Sequence, residues 1–411
     1  MLLRRKSSFA LYVRSVMDNF NFHKPTAYYF GAGRENEVGS IVKNLKVNKV
    51  FVIYGGGSCV RSGLLQRVEK SLAQEGIEFV SKGGVEPNPR ADLVYEMIDY
   101  GREQEVDFVL AVGGGSVIDT AKAVAIGILD NGDFFDFFLQ KRAPTKALGI
   151  GVVLTIPAAG SEGSNSAVIQ KEVDGNVLKC GLSHAFNVPV FSILNPELTK
   201  TLPAYQTACG VVDMMAHVME RYFTNTPEVS ITDRTCEAVL CSIVETAPRV
   251  IHDPNNYEAR ANIMWAGTLA HNDICGVGRE QDWATHALEH QLSALYDVAH
   301  GAGLAVMFPA WMEYTMAHNP MRFAQFASRV FGVSMDFEDP KRTAKAGIVA
   351  LRSFFKSLGM PLNFEQIGAS IDDIPKLLKL LYLSKKSVGN FVHLTPEDCE
   401  AIYKIAATYK D

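Results

Sequence analysis

Asp213, His217, His286, His290 and His300 are the residues of this chain whose types and spacing suit metal chemistry. Three of its ten histidines fall within "WATHALEHQLSALYDVAHGAG", from Trp283 to Gly303. His286 and His290 are four apart, so on a helix they share a face. His300 lies fourteen residues beyond His286. On one straight helix it would sit about 21 Å away, at about 1.5 Å per residue, too far for one ion. Either His300 stands apart, or the helix stops at "YDVAHGAG" and the chain returns, as Asp297, Gly301 and Gly303 would allow. Spacing does not choose between His290 and His300. "GVVDMMAHVMERY" (210–222) adds Asp213 and His217, again four apart, with Asp213 set among apolar neighbours that demand a partner for it. One carboxylate with two or three imidazoles suits Fe(II), Zn(II), Ni(II) or Mn(II). The candidates include no cysteine, which argues against a purely structural zinc site. Such ligands must be neutral imidazoles, so activity is expected to fall in mild acid.

A second constellation suits phosphates. "LAVGGGSVIDTAK" (110–122) sets Gly113, Gly114, Gly115 and Ser116 between an apolar run and a helical pattern. Glycine lets a phosphate approach the backbone, and the helix start offers free N–H groups. The usual GxGxxG fingerprint is absent, and a plain tight turn is the competing reading. "VIYGGGSCVRSG" repeats the arrangement with Gly55, Gly56, Gly57 and Ser58, and Arg61 follows. No Asp or Glu lies between Val52 and Leu65 to bind a ribose 2′-hydroxyl. An acid-free loop beside a cation tolerates a 2′-phosphate, which favours NADP over NAD.

These residues need elements to hold them. From about Val47 to Val190, short runs rich in Val and Ile (49–54, 107–112, 147–157) alternate with helical patterns, predicting a parallel sheet covered on both faces. After "NPELTKTLP" (195–203) only helices are predicted, over 204–225, 228–251, 256–273, 283–296, 302–318, 321–332, 340–358, 371–386 and 396–409. The expected architecture is an α/β domain over 17–203 and an all-α domain over 204–411. The 411 residues carry a net charge of −5 with signs interspersed, which excludes a basic nucleic-acid face. No run approaches a membrane span. Seven scattered cysteines without a CxxC read as reduced thiols, hence a cytoplasmic protein. Residues 1–16, "MLLRRKSSFALYVRSV", are expected to be an extension outside the native fold, upstream of Met17.

Taken together these motifs resemble the iron-containing (group III) alcohol dehydrogenases, especially their butanol dehydrogenase branch. "GGGSVIDTAK", "TIPAAGSE" (155–162), "GVVDMMAHVMERY" and "QDWATHALEHQLSALYDVAHGAGLAVMFPAWMEY" (281–314) carry the resemblance. It implies a dehydroquinate synthase-like fold with a Rossmann-like nucleotide-binding domain. It implies that Asp213, His217, His286 and His300 hold Fe(II), or Zn, Ni or Mn. His290 would be the unligated catalytic histidine beside the substrate. Gly56, Gly57 and Ser58 would run along the adenosine end of the cofactor, and Gly114, Gly115 and Ser116 along its phosphates. Asn88, Asp119, Thr155, Ser161 and Lys179 would complete the cofactor site. Ala159 stands where a Thr is usual, leaving Thr155 and Ser161 to compensate. The implied reaction moves a hydride between NAD(P) and a small primary alcohol or aldehyde, in a homodimer. A polyol dehydrogenase of the same superfamily and a non-catalytic nucleotide- and metal-binding protein are the competing readings. His271 reads as a packing residue more readily than as a pocket wall.

Overall fold

The computed structural model describes residues 17–384 and 387–410, so the expectation for residues 1–16 lies outside the described residues. Eight strands are present: β1 Ala27–Phe30, β2 Lys49–Gly55, β3 Glu78–Val85, β4 Phe108–Gly113, β5 Gly149–Leu154, β6 Ser166–Val173, β7 Asn176–Ser183 and β8 Phe191–Leu194. Six form one parallel sheet in the order β1-β8-β5-β4-β2-β3. The helices interleaved with these strands are α1 Val38–Asn44, α2 Ser58–Arg61, α3 Leu64–Gln74, α4 Ala91–Glu103, α5 Gly115–Leu129 and α6 Phe135–Phe138.

The strands read as continuous apolar runs because both faces of the sheet are covered. Phe51, Ile53, Val109 and Ala111 pack on one side with Val94 and Ile98 of α4 and Ile118 and Val124 of α5. Their neighbours Val50, Val52, Leu110 and Val112 face the other way, onto Val38 and Val42 of α1 and Leu65 and Val68 of α3. In β5, a Cβ at Gly151 would stand 2.4 Å from the Phe191 ring, so glycine there makes room for the stacked pair Phe108–Phe191, 6.0 Å apart. β6 and β7 form a separate antiparallel hairpin, which the sequence reading did not foresee.

From Ala204 onward the regular elements are helices: α7 Ala204–Tyr222, α8 Ser230–His252, α9 Tyr257–His271, α10 Ala284–Tyr296, α11 His300–Thr315, α12 Pro320–Phe331, α13 Pro340–Ser357, α14 Ile374–Ser384 and α15 Pro396–Thr408. They enclose a second core in which Phe223 meets Phe323 at 4.5 Å and Trp311 at 5.4 Å. No described helix is long and apolar enough to cross a membrane.

Lys122, fully buried on α5, fastens the loop after β5. Its Nζ donates to Ser161 O (2.7 Å), Ser161 Oγ (2.8 Å), Ser164 O (3.1 Å) and Ser166 O (2.7 Å). Burial pushes the ammonium down to about 8, against the pull of Asp119 and Glu162. Lys122→Met keeps the stem but leaves several buried acceptors without a donor, at about 1–3 kcal/mol each. A loss of about 3 kcal/mol or more in urea unfolding is expected; a change under about 0.5 kcal/mol would mean that the loop holds itself.

Candidate active site

α7 sets Asp213 and His217 one turn apart, with His217 Nε2 3.3 Å from Asp213 Oδ1. The histidine stretch resolves the alternative left open by spacing. α10 ends at Tyr296, Asp297 takes a left-handed conformation (φ 52°), and α11 starts afresh at His300. The chain turns back, and the rings of His286 and His300 come within 5.3 Å. His217 and His286 are 4.6 Å apart by ring centroid, and His300 Nε2 lies 3.7 Å from Asp213 Oδ1. Ligand atoms of Asp213, His286 and His300 all lie within 4.8 Å of one another. The glycines of "HGAG" permit this convergence. A Cβ at Gly301 would fall 2.0 Å from Cys209 O, so α11 presses directly on the backbone of α7 one turn before Asp213. A Cβ at Gly303 would fall 2.6 Å from Glu289 Oε1.

Two carboxylates outside the predicted set orient the imidazoles. Glu220 Oε1 is 2.8 Å from His286 Nδ1, and Glu289 Oε2 accepts from His300 Nδ1. Each bond places the proton on Nδ1 and presents the Nε2 lone pair to the centre. Burial raises the Glu289 carboxyl, but the opposing pull of His300 and Lys179 outweighs it and holds the group below its usual range. Asp213 Oδ1 and His286 Nε2 are buried without a hydrogen-bond partner. Orphaned acceptors facing one another are costly in an empty core and are what a divalent cation would satisfy. The donor set, one carboxylate oxygen with imidazole nitrogens, fits a first-row metal.

Burial pushes the His217 imidazole well below its ordinary value, with like charge from His286, Arg221 and His300 adding to it. A depressed pKa keeps this imidazole neutral through mild acid, so protons would displace a metal held by it only below the ordinary histidine value of about 6.5. Metal content after dialysis at stepped pH should therefore hold from pH 8 through about 6.5 and into mild acid, and fall only well below the ordinary histidine value. Loss centred above about 6.5 would contradict the assignment of His217.

The cofactor candidates gather beyond the carboxyl ends of the sheet strands. Sheet order reverses between β2 and β4, the switch point at which open α/β sheets bind ligands beyond their carboxyl ends. Gly56, Gly57 and Ser58 follow β2, and Gly114, Gly115 and Ser116 follow β4 and open α5. Gly57 has φ 121°, and a Cβ there would lie 3.2 Å from an Arg61 nitrogen, so the guanidinium lies against this loop. Nothing stands within 4 Å of a Cβ at Gly56. Thr155 N donates to Gly113 O (3.0 Å), tying the end of β5 to the phosphate loop. Asn88 and Lys179 are buried and bonded to each other, Lys179 Nζ donating to Asn88 Oδ1 at 3.0 Å. Asp119, on α5, and Ser161 are bonded to each other. Asp119 accepts from Ser161 Oγ (2.6 Å) and Val168 N (2.9 Å), and buried Ser161 also accepts from Lys122. These bonds hold the 161–168 segment to α5.

His290 is half-buried, 5.5 Å from the His300 ring and 6.4 Å from that of His286, outside the set of Asp213, His286 and His300. His271 lies closer than sequence suggested. Its ring is 4.0 Å from His217, its Nδ1 pairs with Arg221 at 2.9 Å, and Trp283 covers Arg221. Glu220 and Glu289 were missed. Glu220 is seven residues past Asp213 and three past His217, and Glu289 is three past His286, so helical periodicity places each on its ligand's face.

Comparison with known proteins places the chain in a family. Residues 25–196 match the model of the iron-containing alcohol dehydrogenases, and residues 207–407 match that of the C-terminal domain of the Fe-containing alcohol dehydrogenase family. The chain is 40% identical over 395 residues to a probable NADH-dependent butanol dehydrogenase 1 of Bacillus subtilis, covering 94% of this chain and 99% of that one. It is 38% identical over 369 residues to an NADPH-dependent aldehyde reductase of Escherichia coli, covering 89% and 93%. The solved structure of NADH-dependent butanol dehydrogenase A from Thermotoga maritima superposes with a TM-score of 0.92 at 41% identity, over 96% of this chain and 100% of that one. The chain therefore belongs to the iron-containing alcohol dehydrogenase family, on its butanol dehydrogenase-like branch, and is an enzyme of that class.

Proposed function

We propose that the protein is an Fe(II)-dependent, NADP(H)-preferring reductase of small aldehydes of the butanal type, running also as a primary alcohol dehydrogenase. The observation that carries this is the convergence of Asp213, His286 and His300, with orphaned ligand atoms on Asp213 and His286, in a fold that sets two glycine loops at a sheet switch point. Asp213, His217, His286 and His300 would hold the cation. When bound, the cation supplies Lewis-acid polarisation of the substrate oxygen, and the reduced nicotinamide supplies the hydride. The residues of the chain do the rest. Gly114, Gly115 and Ser116 bind phosphate oxygens at the start of α5. Gly56, Gly57 and Ser58 leave room for the adenosine end, and Asn88 and Lys179 line the cleft between. Glu220 and Glu289 keep two imidazoles turned inward, so no reorientation is needed during the reaction. A ring nitrogen of His290 delivers the proton that the product alcohol needs, and recovers it from solvent.

The preference for NADP(H) rests on Arg61 against Gly57 and on the lack of an acid in 52–65. Relatives include both NADH- and NADPH-dependent proteins. We read the chain as two domains meeting near Pro203, and the protein as a cytoplasmic homodimer; all seven cysteines are free, in keeping with a reducing compartment.

The test is anaerobic reconstitution with Fe(II), following oxidation of NADPH and of NADH by butanal. Faster turnover with NADPH, abolished by a chelator, is expected. Arg61→Ala should raise KM for NADPH about tenfold with little effect on NADH, the scale of one charge-assisted phosphate contact. Turnover with NADH alone would keep the reaction and overturn the cofactor preference. No turnover with either, across several metals and with glycerol or diols also inert, would favour a non-catalytic binding protein.

A further inference from the structure

Asp297 turns the chain between α10 and α11, and its carboxylate makes a further contact. It is exposed, yet its Oδ1 accepts a hydrogen bond from Asn88 Nδ2 at 2.9 Å across 209 residues of sequence. Asn88 itself sits in a left-handed conformation (φ 54°) on the loop after β3, and its Oδ1 accepts from Lys179 Nζ. Both faces of one buried amide are therefore used, one toward the nucleotide-side sheet and hairpin, the other toward the helical half. Lys179 in turn feels the carboxylates of Glu289, Asp213, Asp119 and Asp297, groups from both sides of the cleft.

The place of Asp297 in the chain gives this bridge its consequence. Asp297 closes α10, which carries His286 and Glu289, and only Val298 and Ala299 separate it from His300, the first residue of α11. The turn that reverses the chain and brings His300 back is thus tied across the cleft through Asn88 to Lys179. We propose that Asp297 is a positioning residue that couples the two halves of the site: through Asn88 it fixes the turn bearing His300 against the cofactor side, so that nucleotide and metal each bind more tightly when the other is present. The inference rests on the assignment of His300 as a ligand in the reading above.

The test uses metal binding rather than turnover. Metal-free full-length protein is titrated with Co(II), followed by its visible absorption, with and without saturating NADP+. Asp297→Gly accepts the left-handed backbone without strain and removes the bridge. Asp297→Asn also accepts that backbone and keeps an oxygen for Asn88 Nδ2. The wild type should bind Co(II) severalfold more tightly with NADP+ present. Asp297→Gly should weaken Co(II) binding about tenfold, the scale of one lost hydrogen bond to a charged group, and should lose the reinforcement by NADP+. Asp297→Asn should keep both. Substitution of an exposed residue seldom disturbs folding, so the loss is not a general one. Equal Co(II) affinity in Asp297→Gly and wild type, or equal failure of the Gly and Asn variants, would overturn the coupling. Failure of the wild type itself to bind Co(II) would instead overturn the metal site on which the inference stands.

Discussion

Alanine in place of His286 should leave a folded protein without bound metal and with kcat/KM lowered at least about a thousandfold, since polarisation of the substrate oxygen contributes several kcal/mol. The effect should be local. Glu220 loses the imidazole but keeps the Trp283 amide, the Thr285 hydroxyl and the amide of residue 286 as donors, so the start of α10 stays capped. Metal-free wild type and variant should therefore unfold at similar denaturant concentration. Added Fe(II) should stabilise only the wild type, because a ligand stabilises the state that binds it. His290→Ala separates the two roles. It should retain metal and lose about a hundredfold in turnover, the scale of one general acid. If His286→Ala kept its metal while His290→Ala lost it, the ligand set would pass to Glu289, His290 and His300, whose ligand atoms also lie within 4.8 Å of one another.

That such an alternative exists shows where sequence reasoning stops. Asp213 and His217 were legible because helical spacing alone makes them neighbours. For His300 the spacing left a choice: Asp297, Gly301 and Gly303 allowed the chain to return and the resemblance named His300, but what the glycines let approach, α7 for Gly301 and Glu289 for Gly303, is visible only in the fold. Contacts of that kind have no local signature. The buried strands β2, β4 and β5 and all nine C-terminal helices were legible from apolar periodicity. β1 and β3 were not, since they are edge strands, half exposed and short or interrupted by glycine. The hairpin β6–β7 did carry a signal that was passed over: Asp174-Gly175 at its turn, with φ of 51° and 72°, is a favoured pair for a two-residue hairpin.

Glu220 is the residue whose loss should cost most in stability. α10 begins at a left-handed Trp283 that offers no side-chain cap, so its first amide groups need an acceptor from elsewhere. Glu220, fully buried on α7, provides it: Oε2 accepts from Trp283 N at 2.8 Å, while Oε1 accepts from His286 N at 3.0 Å, from His286 Nδ1 at 2.8 Å and from the Thr285 hydroxyl. One carboxylate thus caps a helix and aims a ligand. Glu220→Ala leaves four donors unpaired, three of them buried, at about 1–3 kcal/mol each, and should destabilise the protein by about 4 kcal/mol or more. Glu220→Gln divides the two functions. Its carbonyl oxygen can still serve the donors at the Oε1 position, so the fold should survive. Its NH2 group cannot accept from Trp283 N, and a neutral amide supports the His286 imidazole less than a carboxylate does. Metal affinity should fall about 10–100-fold, the usual consequence of weakening such a partner. Denaturant unfolding of the metal-free proteins, set beside Co(II) titration, reads the two effects separately. A Gln variant with wild-type metal affinity would make Glu220 a helix cap alone. An Ala variant of wild-type stability would mean that water reaches the start of α10 and that the buried carboxylate is there for the metal.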